Sequence, residues 1–208
     1  IQGTGNMKTF LGHPEAQVVA VCDVHEGQRQ KGKEAVDTFY GNQDCAAYRD
    51  FRELIARRDI DAIQITTPDH WHPVIAIEAA KQGKHLYYEK PMGWSFRAAQ
   101  AVRKAVHDHR VVFQFGTQQR SGGNFRFACE LVRNRRIGEL KTILVGVPGS
   151  VPCPTQPVEP VPRELDYELW LGPAPMKPYN FERVRPYTPR PDESWTRNYS
   201  TWYHISDY

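Results

Sequence analysis

Residues 63–91 restrict the fold more than any other part of the chain; they read IQITTPDHWHPVIAIEAAKQGKHLYYEKP. An apolar run ends in Thr66-Thr67-Pro68, and a histidine pair, His70 and His72, follows it. A helical stretch then leads to a second apolar run that ends in Glu89-Lys90-Pro91. Both polar clusters stand where a strand stops and the chain turns. In an open parallel sheet two such turns share one edge, outside the carboxyl ends of the strands, and ligands bind at that edge. The stretch is a candidate active-site rim, and the other segments are read against it.

Strand and helix alternate on both sides of it. A helix is expected over residues 6–11, then a strand over 17–23 that ends in Asp23. A polar helix follows over 26–39, with Gly41-Asn42 as its stop signal. Residues 48–57 read as a strand end and a helix with Phe51, Leu54 and Ile55 on one face. Strands are expected over 61–66, 84–88 and 111–115. Pro73 and Gly83 bracket the helix after the first of these, in the usual proline-first, glycine-last asymmetry. Ser95 is the N-cap of a helix reaching His109, with Ala99, Val102 and Val106 on its buried stripe. This is the pattern of an α/β fold, a Rossmann-type doubly wound parallel sheet, over residues 1–122, its first strand expected before Ile1.

Beyond it the texture changes. A helix is expected over 124–136, with Phe127, Leu131 and Val132 apolar, and a strand over 141–147. Residues 148–162 are too rich in proline for a regular element and read as an extended surface loop. Residues 123–208 are taken as the start of an α+β C-terminal domain, incomplete at Tyr208.

Composition narrows the function classes. With 40% hydrophobic and 25% charged residues and a net charge of +3, the chain has the make-up of a globular protein. Its densest basic run, Arg133-Asn134-Arg135-Arg136, sits at an expected helix end, where cations are favoured anyway, so no nucleic-acid partner is expected. No apolar run approaches membrane-spanning length, and no membrane partner is expected. The four cysteines form no CxxC pair, and Cys22, inside an apolar run, reads as a small core residue. A cytoplasmic location is the default expectation. The chain starts at Ile1 without a methionine, so an upstream export signal stays open.

Two features bear on a cofactor. Gly3 and Gly5 cannot open a G-x-G-x-x-G turn, because the third glycine would fall on Lys8. Gly3 reads better as the last glycine, with the first strand and two earlier glycines before Ile1. Asp23 then follows at about the 20-residue spacing of the acid that accepts ribose hydroxyls in dinucleotide-binding units. Each feature has a plainer reading: a glycine turn without a cofactor, and an aspartate that caps the next helix. His70 and His72 lack the i, i+4 spacing of a metalloprotease helix, so no metal site is expected. His72 is expected to cap the following helix or contact substrate, with Trp71 packed beneath it. Trp170, Trp195 and Trp202 stack on a sugar face or fill core, and core is the default.

Residues 65–72 (ITTPDHWH), Gly83-Lys84-His85, Glu89-Lys90-Pro91, residues 116–121 (GTQQRS) and residues 169–175 (LWLGPAP) resemble the glucose–fructose oxidoreductase / inositol dehydrogenase family, Gfo/Idh/MocA. The resemblance spans nearly the whole chain. It implies an N-terminal NAD(P)-binding Rossmann domain, a C-terminal α/β domain on a large open sheet, and redox chemistry at a hydroxyl or carbonyl of a sugar, cyclitol or related polyol. It places Gly3, Thr4 and Asn6 by the pyrophosphate and Asp23 by the ribose. Thr66, Thr67, Pro68 and His70 would line the cofactor groove, with Glu89 beside it. Lys90 would reach both nicotinamide and substrate as the catalytic residue, and Gln118 and His72 would lie toward the substrate. A homo-oligomer is expected of the full-length protein. The family's second catalytic element, an Asp- and His-bearing helix, would follow Tyr208, with His204 and Asp207 leading up to it.

The chemistry asked of Lys90 is to take the hydroxyl proton while the cofactor carries the hydride; burial would suit it to this by disfavouring the ammonium. NAD is the expected cofactor, since the Asp23 carboxylate would repel a 2′-phosphate, while Arg29 and Lys31 nearby keep NADP open. Two rival readings remain: an NAD-dependent glycoside-cleaving enzyme that oxidises the sugar transiently, and a non-catalytic dinucleotide-sensing protein. Without a first strand and most of a second domain, the chain alone is expected to be unstable and inactive.

Overall fold

The computed structural model describes residues 2–146 and 157–184. In chain order the elements are α1 (Gln2–Leu11), β1 (Ala20–Cys22), α2 (Glu26–Tyr40), β2 (Ala46–Tyr48), α3 (Phe51–Ile55), β3 (Ala62–Ile65), α4 (His72–Lys81), β4 (His85–Glu89), α5 (Phe96–His109), β5 (Phe113–Gly116), a 3-10 turn (Gln118–Ser121), α6 (Gly123–Arg133), α7 (Tyr167–Leu171) and α8 (Phe181–Val184). All strand pairing is parallel: β1 pairs with β2, and β4 lies between β3 and β5. The described strands thus form two parallel sheets, β1-β2 and β3-β4-β5.

Local chemistry accounts for most of the boundaries. His25 Nδ1 accepts from Gly27 N at 3.1 Å to cap α2, and Gly41, at φ +69°, ends it. Ser95 Oγ accepts from Ala98 N at 3.2 Å to cap α5. Gly83, at φ +73°, closes the turn between α4 and β4, a conformation a Cβ would oppose. Helix α4 is apolar nearly all round, because it lies between the three-stranded sheet and α5. Ile75, Ala76, Ala79 and Ala80 of α4 meet Ile63 and Ile65 of β3, Leu86 and Tyr88 of β4, and Val102 of α5. Each buried large aliphatic side chain contributes roughly 1.5–3 kcal/mol. Lys84 is buried there too, and its Nζ donates to Arg57 O at 2.5 Å and Ile60 O at 2.7 Å, which compensates the desolvated ammonium.

Residues 157–184 lie against the end of β1. His25 and Leu165 form an antiparallel bridge, Glu26 N donates to Glu164 O at 2.8 Å, and Asp166 N donates to Val24 O at 3.1 Å. Asp166 caps α7 through Leu169 N at 3.0 Å and pairs with Arg49 at 3.5 Å. Leu165, Tyr167, Trp170, Leu171 and Tyr179 form a cluster under this segment, so Trp170 fills core.

Four expectations need correction. Helix α1 begins at Gln2, so Gly3 and Gly5 lie inside a helix and not in a turn before one. Cys22 is exposed on β1, not a core residue. Residues 141–146 form no strand, because they meet no partner strand among the described residues; Ile143, Leu144 and Val145 are exposed instead. The helix expected over 124–136 ends at Arg133. Trp195, Trp202, His204, Asp207 and most of the proline-rich loop lie outside the described residues.

Candidate functional site

Parallel register sets Ile65 beside Tyr88 and Glu89 beside Gly116, so β3, β4 and β5 end side by side. Thr66-Thr67-Pro68, Glu89-Lys90 and Gly116-Thr117-Gln118 therefore leave the sheet along one edge. The first turn of α1 lies over β3. Gln64 Nε2 donates to Gly3 O at 3.1 Å and to Thr66 Oγ1 at 3.0 Å. A Cβ on Gly3 would already touch Thr66 Cβ at 3.4 Å, the close helix–strand contact that the last fingerprint glycine serves. A helix start leaves backbone N–H groups without intrahelical partners, an environment that suits a phosphate.

Beneath that turn lies a buried carboxylate. Glu89 is 2% exposed; its Oε1 accepts from Asn6 Nδ2 at 2.7 Å and Gln2 Nε2 at 3.5 Å, and its Oε2 accepts from Lys90 N at 3.4 Å. A Cβ on Gly116 would stand 2.9 Å from the Glu89 carboxyl carbon, so only glycine leaves that carboxylate room. Asn6 and Glu89, both expected at the cofactor, bond to each other and to Gln2, and so hold α1 against the end of β4. Gln2, Gln64 and Gly116 take part in this arrangement, and sequence reasoning missed all three. A strand-ending glycine beside a Thr-Gln-Gln run is the one signal that could have found them.

Asp23 stands where β1 ends. Its Oδ1 accepts from His25 N at 2.8 Å, its other carboxylate oxygen makes no hydrogen bond among the described residues, and burial pushes its carboxyl up. Arg29 donates to the Asp23 backbone carbonyl at 2.7 Å and so is turned to the main chain.

The histidines depart from their expected roles. His70 is 3% exposed, its Nε2 lies 2.8 Å from Trp170 O, and its ring meets Trp170 edge-on at 5.5 Å. It packs against α7, and burial lowers its pKa. Trp71 packs against Phe51 at 5.2 Å, not beneath His72, and donates from Nε1 to Leu169 O at 2.9 Å. His72, the first residue of α4, provides no side-chain cap. It is 1% exposed, with Nε2 2.8 Å from Thr67 O and Nδ1 3.2 Å from Pro91 O, and it presents no open nitrogen to a substrate.

Lys90 follows the end of β4 and is exposed. Half-buried Asp69 lies near it: burial pushes that carboxyl up, while His72 and Lys90 pull it down. The sequence pattern alone assigns Asp69 no role. Thr67 Oγ1 is buried without a hydrogen bond among the described residues. Thr66 and Pro68 are half-buried at the same turn, while Thr4 on α1 and Gln118 on the 3-10 turn are exposed. A packed helix start, a half-engaged carboxylate after β1 and an orphaned hydroxyl after β3 are groups of the kind that a dinucleotide engages.

Comparison with known proteins agrees with that arrangement. The profile of an oxidoreductase family with an NAD-binding Rossmann fold matches residues 1–117, and that of the family's C-terminal alpha/beta domain matches residues 152–189. An inositol 2-dehydrogenase of Rhizobium meliloti is 28% identical over 143 residues, which is 69% of this chain and 41% of the relative. A glycosyl hydrolase family 109 protein of Saccharopolyspora erythraea is 34% identical over 96 residues, 44% of this chain and 21% of the relative. The crystal structure of a myo-inositol 2-dehydrogenase from Lactobacillus plantarum matches with a TM-score of 0.59 at 26% identity, covering 66% of this chain and 40% of that one. The chain thus spans less than half the length of these relatives. It belongs to the Gfo/Idh/MocA oxidoreductase family, through an N-terminal part with that family's NAD-binding Rossmann fold.

Proposed function

We propose that the protein is an NAD(P)-dependent oxidoreductase that moves a hydride to or from a hydroxyl or carbonyl carbon of a sugar, cyclitol or related polyol. The observation that carries this reading is the convergence of three parallel strand ends and the first turn of α1 on one edge, with Lys90 exposed there. A bound nicotinamide supplies the hydride acceptor or donor. Gly3 keeps α1 close to β3 so that its free N–H groups face the pyrophosphate, and the open Asp23 oxygen accepts from ribose hydroxyls. That carboxylate favours NAD over NADP; Arg29 is held by a carbonyl, and Lys31 is the nearby cation that keeps NADP open. Lys90 holds the substrate oxygen and exchanges its proton as the carbon is oxidised or reduced. Thr66, Thr67 and Pro68 form the wall of the groove, and Gln118 adds a polar group from the β5 side. In this reading the cofactor domain ends near residue 122, and the residues after it begin the substrate domain.

Titration with NAD(H) and NADP(H), followed by turnover on a panel of inositols and sugars, tests the reading. We expect NAD(H) binding and a loss of turnover in Lys90→Ala of at least about a hundredfold, within the usual size of an acid–base contribution. Binding of neither cofactor sinks the assignment. The similarity to the glycosyl hydrolase family 109 protein favours a second reading, cleavage of a glycoside with NAD returned to its starting state. Free aglycone without net NADH from a sugar glycoside would select that reading over the first.

A further inference from the structure

His72 joins the two turns on which the proposed site depends. It is 1% exposed, packed edge-on against Tyr88 at 5.2 Å, and lies between the chain leaving β3 and the chain leaving β4. Its Nε2 is 2.8 Å from the carbonyl of Thr67 and its Nδ1 is 3.2 Å from the carbonyl of Pro91. A neutral imidazole has one N–H and one lone pair, so it donates to only one of two carbonyls. The shorter contact assigns the N–H to Nε2 and the firm bond to Thr67. Nδ1 then meets the Pro91 carbonyl lone pair to lone pair, unless the ring also carries a second proton, which its burial opposes. An apolar side chain would fill the same volume without aiming two nitrogens at two carbonyls. Tyr88 reinforces the arrangement, since its hydroxyl donates to Met92 O at 2.8 Å, one residue beyond the second contact.

We propose that His72 is a positioning residue that holds the Thr66-Thr67-Pro68 turn at a set distance from the Glu89-Lys90-Pro91 turn, and so places Lys90 relative to the cofactor groove. It touches neither substrate nor cofactor; it acts through its bond to the Thr67 carbonyl and through its buried ring, which spaces the Pro91 carbonyl from that turn. The inference rests on the oxidoreductase reading for its consequence, but not for the tie itself.

The test uses the full chain with His72→Leu, which removes both nitrogens, and His72→Gln, which keeps one amide donor in the same place. Amide hydrogen exchange reads the tie without any cofactor. The Trp71 amide, bonded to Pro68 O, and the Lys90 amide, bonded to Glu89 Oε2, are expected to exchange at least about tenfold faster in His72→Leu, the equivalent of one lost hydrogen bond, and to recover in part in His72→Gln. Calorimetry and kinetics then read the consequence: weaker NAD(H) binding by about tenfold and a fall in kcat larger than any change in substrate KM. Unchanged exchange at both turns overturns the proposal, whatever the catalytic assays show. Faster exchange with NAD(H) affinity and kcat per folded molecule at wild-type values overturns its functional half. If His72→Leu does not fold, His72→Gln decides alone: wild-type exchange and kinetics overturn the proposal, and intermediate values support it. A wild-type protein that binds no nicotinamide cofactor refutes the oxidoreductase reading while the exchange data still judge the tie.

Discussion

Gly172 is the position where a single methyl group should cost most. It follows α7 at φ +49° and ψ −117°, a region that only glycine visits without strain. An added Cβ would lie 2.1 Å from Trp71 Cζ2, 2.3 Å from Cε2 and 2.7 Å from Nε1, far inside the roughly 3.5 Å of an ordinary carbon contact. Trp71 cannot simply swing away. It is 7% exposed, Phe51 covers one side, and its indole N–H donates to Leu169 O at 2.9 Å and Trp170 O at 3.1 Å. Two costs add in Gly172→Ala: about 1–3 kcal/mol for the backbone conformation and about 1–3 kcal/mol for the wedge into packed atoms. A total near 4 kcal/mol is a large part of the ~5–15 kcal/mol that holds a domain folded. At about 2–4 °C per kcal/mol, the melting temperature should fall by about 8–16 °C. Thermal unfolding followed by circular dichroism measures it. The double variant Trp71→Leu/Gly172→Ala removes the wedge and keeps the backbone cost, so the coupling between the two sites should be about 1–3 kcal/mol. A Gly172→Ala protein that melts within about 2 °C of wild type refutes the geometry assigned to this contact.

Three further outcomes follow from other parts of the site. Gly116→Ala displaces the Glu89 carboxylate and breaks its 2.7 Å bond from Asn6, a charge-assisted contact of about 1.5–3 kcal/mol; NAD(H) affinity is expected to drop about tenfold or more, and wild-type affinity in a calorimetric titration argues against a supporting role for that bond. Asp23→Asn removes the charge that opposes a 2′-phosphate, so the ratio of NAD to NADP affinity should narrow by about tenfold; an unchanged ratio removes Asp23 from cofactor discrimination. His70 and His72 both have folded pKa values below the ordinary 6.5, so below 6.5 the unfolded chain binds protons that the folded chain does not, and stability is lost as pH falls through that window. Asp23 and Asp69, raised above 3.8, act with the opposite sign, because above pH 3.8 the folded chain holds protons that the unfolded chain has released, so the comparison with His70→Asn isolates the histidine's share. Urea unfolding at pH 5, 6 and 7 should show stability rising with pH, with a shallower rise in His70→Asn; equal slopes in both proteins contradict the burial assigned to that ring.

The roles of some of these residues are legible in the amino-acid sequence, and those of others are not. Thr66-Thr67-Pro68 and Glu89-Lys90-Pro91 can be placed on one edge because strand, turn and helix are written locally, in apolar runs, a capping serine and glycines at helix ends. The parallel register then brings successive strand ends together without further information. Partners 60 to 100 residues away carry no such local signature. His70 reads as a groove residue beside a TTP turn, yet it bonds to Trp170 O; Glu89 and Asn6 read as two cofactor contacts, yet they bond to each other. Gly116 has no apparent purpose until Glu89 is seen to occupy the space of its Cβ. Cys22 and residues 141–146 are apolar by pattern but exposed, because no described element covers them.

By itself, the order of apolar runs, caps and glycines determined the alternation of strand and helix, the parallel pairing, and which turns share an edge of β3-β4-β5; all of these depend on interactions within about a dozen residues. Only the tertiary structure decided which polar atoms on that edge remain open. Each buried donor and acceptor takes whichever partner packing brings within about 3 Å, and that choice depends on the meeting of distant segments. Asp23 kept an oxygen without a hydrogen bond among the described residues, while His70, His72, Asn6 and Glu89 were drawn into holding the turns in place.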